Sequence, residues 1–148
     1  MNLDSEFNEI IKYAHFWNWL PDWEVAKNVY KSFPESYSIL LPFAYSYLEE
    51  AIRSTTSEYG REFIKENRKT RKTGIDLINL AISENRNNIE YVSHLKKLKK
   101  YFNKSSSIDS GNNRNGVDHG YIHPRFWEKE DFEKLICDIA ILSKYSKF

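Results

Sequence analysis

A chain of 148 residues with 41% hydrophobic and 16% aromatic side chains has the length of one domain and enough apolar surface for a core, which excludes a disordered segment. Cys137, the single cysteine, leaves no route to an internal disulfide or a multi-cysteine zinc site, and no run approaches the roughly 18 apolar residues of a membrane span. The net charge of +1 is too small to demand a polyanionic partner, yet it is unevenly spread: residues 61–104 hold 12 Lys+Arg against 5 Asp+Glu, or +7, and the remainder 10 against 16, or −6.

Residues 1–6 have neither the basic start nor the apolar run of a signal peptide, so the expected location is the cytoplasm, with no membrane partner. The first predicted helix carries Phe7, Ile10, Ile11 and Ala14 on one face behind Asp4 or Ser5 as N-cap. Pro21-Asp22 is read as a break. Val25, Ala26, Val29 and Tyr30 then mark a short second helix that Phe33-Pro34 ends. Trp17, Trp19 and Trp23 cluster about this turn and are expected in the core rather than stacked on bases.

A long third segment runs from Tyr37 through Leu41, Ala44 and Leu48 to Ile52, with Pro42 as a kink or a late start. Ile75, Ile78, Ala81 and Ile82 follow Gly74 as a fourth stripe. Ile89, Val92, Leu95, Leu98 and Phe102 form a fifth, with lysines on its outer face. A Ser-, Gly- and Asn-rich stretch over 103–115 reads as a loop or a weak helix start. The closing helix carries Phe132, Leu135, Ile136, Ile139 and Leu142, and Cys137 within it reads as a small, inert core residue. With no sustained alternation of period two and no internal repeat, the fold class is all-α: a single domain over 1–148, built as an antiparallel bundle of about five to seven helices.

Basic residues crowd 65–72 and 96–104. The chemistry concentrates at Arg114-Asn115-Gly116-Val117-Asp118-His119-Gly120, where an arginine and a histidine stand five positions apart. In a helix that offset is about 140°, so both side chains can flank one pocket from one element. His119-Gly120-Tyr121-Ile122-His123 also suggests a metal pair, but Gly120 and Pro124 oppose a regular helix there and no further ligand cluster exists, so no metal is expected.

The string Arg114, Asn115 and His119, ending in Gly120, resembles the HEPN superfamily, marked by an arginine, four to six residues and a histidine, here in the RNxxxHG form. The segment 47–53 (YLEEAIR) is similar to an acidic helix upstream in several subfamilies. The resemblance implies a HEPN-like bundle and metal-independent cleavage of RNA, without a cofactor, by attack of the ribose 2′-hydroxyl on the adjacent phosphorus. In that chemistry His119 moves the proton, Arg114 neutralises the phosphoryl oxygens, and Asn115 orients the phosphate or the histidine. Lys96, Lys97, Lys99, Lys100, Tyr121 and Arg125 are the candidate RNA contacts.

A toxin or phage-defence role follows from the same resemblance, with an antitoxin or defence protein as partner. The alternative is a non-catalytic domain of this type that binds RNA, nucleotide or a partner protein. Arg114 and His119 are expected in a solvent-reached cleft, where substitution leaves stability nearly unchanged. Gly116 and Asp118 favour an irregular turn over a clean helix around them. A homodimer that joins two motifs across a two-fold axis is expected, with the aromatic exit segment 121–127 in the interface or, equally, stapling the last helix to the bundle.

Overall fold

The computed structural model describes residues 1–61, 71–103, 111–119 and 123–148, the side chain of His119 excepted. Among these residues the chain forms seven α-helices and no strand: α1 (Asp4–Tyr13), α2 (Leu20–Ser32), α3 (Tyr37–Arg53), α4 (Gly74–Glu84), α5 (Ile89–Leu98), α6 (Arg114–His119) and α7 (Lys129–Ser143). Single 3-10 turns cover Pro34–Ser36, Lys99–Phe102 and Pro124–Phe126. No helix among the described residues is long and apolar enough to cross a membrane.

The all-α expectation holds, and the helix starts show where simple rules bend. Asp4 lies inside the first turn of α1 instead of capping it, and its backbone N–H donates to Asn2 Oδ1 at 2.9 Å. Pro21 sits in the first turn of α2. A proline there lacks only an N–H that the helix leaves unpaired, so it starts the helix rather than breaking the chain. Pro42 lies within α3, which runs on to Arg53. Asn88 is a working cap: its Oδ1 accepts from the backbone N–H of Tyr91 at 3.0 Å.

The central helix is α3, with Leu41, Ala44, Tyr45, Leu48 and Ile52 all sealed from solvent. It packs against α7, α4 and α6, while α1 bridges α7 and α2. Each such Leu or Ile contributes roughly 1.5–3 kcal/mol by leaving water, so α3 and the buried face of α7 (Phe132, Leu135, Ile136, Ile139) anchor the molecule.

Two packing expectations need correction. Trp23 is buried against Phe43 and Tyr47, with ring centroids 4.8 and 5.0 Å away, and Trp19 is half-buried beside it, but Trp17 is exposed. On α5 the buried face is Tyr91, His94, Leu95 and Leu98, whereas Ile89 is exposed. Tyr and His supply the inner stripe because their polar tips find partners: Tyr91 Oη meets Thr55 Oγ1 at 2.9 Å and His94 Nε2 meets the Asp138 carbonyl at 3.2 Å. Cys137 is half-buried, and burial pushes its thiol up.

Candidate functional site

The motif begins where two asparagines tie α6 to the chain before it. Asn113 Oδ1 accepts from the backbone N–H groups of Asn115 and Gly116, at 2.9 and 3.2 Å, and so caps α6. Its amide donates to the Asn103 carbonyl at 2.6 Å, fixing the cap to the end of the lysine-bearing turn Lys99–Phe102. Asn115 Nδ2 donates to the carbonyls of Phe102 and Asn103, both at 3.3 Å. With its cap satisfied and Val117 buried in the core, 114–119 is a short helix despite Gly116.

Gly111 sets the approach. Its φ of +93° suits glycine, and a Cβ there would stand 3.0 Å from Trp127 Cβ and 3.1 Å from Leu41 Cδ1. Its carbonyl accepts from Tyr45 Oη at 2.9 Å. Trp127 is buried and its carbonyl accepts from Tyr37 Oη at 2.9 Å, so this residue staples the chain ahead of α7 to α3, while Phe126 stays exposed.

Arg114 is the best-anchored side chain of the motif. Nη2 donates to Glu49 Oε2 at 2.8 Å, and Nη1 donates to Asn115 Oδ1 at 3.0 Å. Nε lies 3.0 Å from Asp118 Oδ2 as a charge contact, without the alignment of a hydrogen bond. The Arg114 and Glu49 side chains are 16% and 12% exposed, so the guanidinium is largely enclosed rather than standing in an open cleft. Glu49 works in two directions: Oε1 accepts from the backbone N–H of Gly74 at 2.8 Å, so one carboxylate on α3 fixes both the start of α4 and the motif arginine.

One turn along α3, Arg53 repeats the pattern, donating to Glu50 Oε2 at 2.8 Å and to the Lys72 carbonyl at 2.9 Å. The Lys72 N–H in turn donates to Glu58. The motif alone does not disclose the Glu49 contact, which spans 65 residues of sequence; only the acidic segment 47–53 hinted at it.

The other candidates divide. Lys96, Lys97 and Lys100 are exposed and Lys99 is half-buried. Lys100 is 2.9 Å from Asp138 Oδ2, so part of its charge is answered within the protein. Asp138 Oδ2 also accepts from Tyr101 Oη at 2.5 Å; burial, and then this bond, hold the phenol well above its usual range.

The turn Lys99–Phe102 packs on α6, which brings the end of the lysine run close to the arginine. Arg125 is exposed and its guanidinium lies 5.5 Å from the Phe126 ring centroid. His123 Nδ1 accepts from the Arg125 N–H at 3.2 Å and so caps the exit turn. Tyr121, most of the 65–72 run and the His119 side chain lie outside the described residues, so Arg114 and His119 are related through the backbone of the helix they share. Among the described residues no group of three or more His, Cys, Asp or Glu is placed to hold a metal. Compared with known families, with curated proteins and with solved structures, the chain matches none.

Proposed function

We propose that this protein is a HEPN-like, metal-independent endoribonuclease of toxin or phage-defence type, with Arg114 and His119 as its catalytic pair. The observation that carries the reading is the anchoring of α6: a capped six-residue helix has Arg114 at its first position and the His119 backbone at its last, with the arginine side chain fixed by Glu49 and Asn115. A pre-set cation costs no reorganisation as charge builds on a phosphoryl group. The 2′-oxygen attacks phosphorus, the 5′-oxygen leaves, and His119 takes or returns the moving proton, leaving a 2′,3′-cyclic phosphate. Arg114 has five N–H donors. Glu49 and Asn115 take one each on Nη2 and Nη1 and Nε faces Asp118, so in this reading the donors left on the two Nη atoms are the ones that bind the phosphoryl oxygens. Asn115 is a positioning residue, because its amide and its carbonyl are both engaged within the protein. Lys96, Lys97 and Lys99 extend the basic surface toward α6 and contribute RNA affinity rather than chemistry.

One observation favours a second reading, a non-catalytic domain that binds RNA, nucleotide or a partner protein: Glu49 and Asp118 bracket Arg114 and answer the charge a phosphate needs. Incubation with RNA in EDTA separates the two. The nuclease reading expects cleavage that survives the chelator, leaves cyclic-phosphate ends and falls by 100-fold or more in His119→Ala, on the order of a lost general acid–base. RNA binding without cleavage, under conditions where the wild-type chain is folded, refutes it and leaves the second.

A further inference from the structure

A polar cavity of about 350 Å³ opens between the turn Lys99–Phe102, the segment 111–113 that leads into α6, and the start of α7. Lys100, Asn103, Asn112, Asn113, Asp131 and Lys134 line it, over the buried Tyr101. Its size lies at the lower end of ordinary ligand sites, about 300–1,000 Å³, which suits one nucleotide better than a larger ligand.

Contacts within the protein set its walls in advance. The Gly111 carbonyl is held by Tyr45 Oη at 2.9 Å, and the carboxamide of Asn113 is spent on two α6 N–H groups and on the Asn103 carbonyl. Asp138 holds both Tyr101 and Lys100. A site assembled before its ligand arrives loses little freedom on binding. None of these contacts uses the side-chain amides of Asn103 and Asn112, which stand exposed.

Three kinds of group therefore face a ligand. The Lys100 and Lys134 side chains, 55% and 65% exposed, bring positive charge on flexible stems. Each Asn carboxamide offers a donor and an acceptor. Asp131 offers acceptors only, from a side chain 12% exposed, with Lys134 at 3.8 Å as an ion pair too long for a hydrogen bond. A carboxylate has about four acceptor sites, so Asp131 can take an N–H from a ligand beside the partners it already has.

That set matches a nucleotide whose base carries an exocyclic amine next to a ring-nitrogen acceptor. In adenine and cytosine the amine donates to Asp131 while the ring nitrogen accepts from an asparagine N–H. Uracil instead turns a carbonyl oxygen toward the carboxylate, acceptor against acceptor. We infer that this cavity is a base-reading subsite for an adenine or cytosine nucleotide of a bound RNA, with Lys100 and Lys134 on its phosphate and Asp131, Asn103 and Asn112 on its base. The inference rests on the RNA reading of the motif, catalytic or not. The motif is close by: Asn115 accepts from Arg114 Nη1 at 3.0 Å and donates to the carbonyl of the cavity residue Asn103 at 3.3 Å. One carboxamide thus separates the two, as befits neighbouring nucleotides of one strand.

Fluorescence anisotropy of the intact chain with 2′-O-methyl hexanucleotides of A, C or U, which the proposed 2′-hydroxyl attack cannot cleave, reads the subsite apart from chemistry. At about 50 mM salt, the A and C strands are expected to bind about 10-fold tighter than U. The comparison of C with U is the sharper one, since both are single-ring bases. Asp131→Asn, which keeps the size of the side chain, and Asn112→Ala, at an exposed position, are each expected to bring the three strands to within about twofold of one another while the far-ultraviolet circular dichroism is unchanged. Lys134→Ala is expected to weaken all three alike, as a phosphate contact does. Equal wild-type affinities for C and U overturn the subsite and leave the RNA reading standing. A preference that survives both Asp131→Asn and Asn112→Ala also overturns it, because the base is then read elsewhere. Failure of every strand to bind at up to about 100 µM overturns the RNA reading itself, and the subsite with it.

Discussion

Removing the Glu49 carboxylate tests the anchoring of the motif most directly. Glu49→Gln keeps the size of the side chain and leaves an oxygen for the Gly74 N–H, but it removes the charge facing Arg114 Nη2 at 2.8 Å. Breaking a buried pair by deleting one partner costs about 3–5 kcal/mol when the remaining charge is stranded. Arg114 retains Asp118 at 3.0 Å and some solvent, its side chain being 16% exposed, so the expected loss is smaller, about 2 kcal/mol. Glu49→Ala also orphans the Gly74 N–H, which adds roughly 1–2 kcal/mol. For a chain of this length 1 kcal/mol moves the thermal midpoint by about 4 °C, so Gln and Ala are expected near 8 and 14 °C below wild type by calorimetry or circular dichroism. A double-mutant cycle with Arg114→Met isolates the pair, with a coupling of about 2 kcal/mol expected. A Glu49→Ala protein within 0.5 kcal/mol of wild type, or zero coupling in the cycle, refutes the claim that this contact holds the motif.

Gly111→Ala is expected to lower stability by about 2–3 kcal/mol in urea unfolding, because it combines left-handed backbone strain with a Cβ 3.0 Å from Trp127; unchanged stability would mean the loop relaxes freely. The buried His94 has its pKa lowered from 6.5, chiefly by desolvation, with Lys97 and Lys144 acting in the same direction and Asp138 against it. Since the unfolded chain then binds the proton more readily, its stabilising contribution is complete above about pH 6.5 and is lost as pH falls toward the folded value. His94→Gln should flatten that part of the thermal midpoint's fall between pH 7 and 5, and an identical pH slope in wild type and variant would contradict the assignment.

How much of the fold was legible in the chain follows from the range of each interaction. The helices of the core were readable because their signal is local: Phe132, Leu135, Ile136 and Ile139 repeat at helical spacing, and all four are buried. Legibility failed where a neighbour outside the helix decided the outcome. Ile89 fits the apolar stripe of α5, yet its place inside is taken by Tyr91 and His94, whose polar tips reach Thr55 and the Asp138 carbonyl. Trp17 and Trp23 look alike in sequence. Only the packing of α2 on α3 distinguishes the buried one.

The motif shows the same limit at the site. Its residue types and spacing name Arg114, Asn115 and His119, but nothing local to them says that Arg114 is enclosed, because the enclosing carboxylate arrives from the far end of α3. That contact changes the meaning of an Arg114 variant. An arginine in open solvent can be replaced with little cost, whereas this one leaves Glu49 buried with half its partners missing, so lost activity in Arg114→Ala mixes chemistry with stability. His119→Ala, with activity measured well below the thermal midpoint, is the cleaner probe of proton transfer. The role of Arg114 is better read from Arg114→Lys, which retains a cation for Glu49 but loses the planar fork that matches two phosphoryl oxygens.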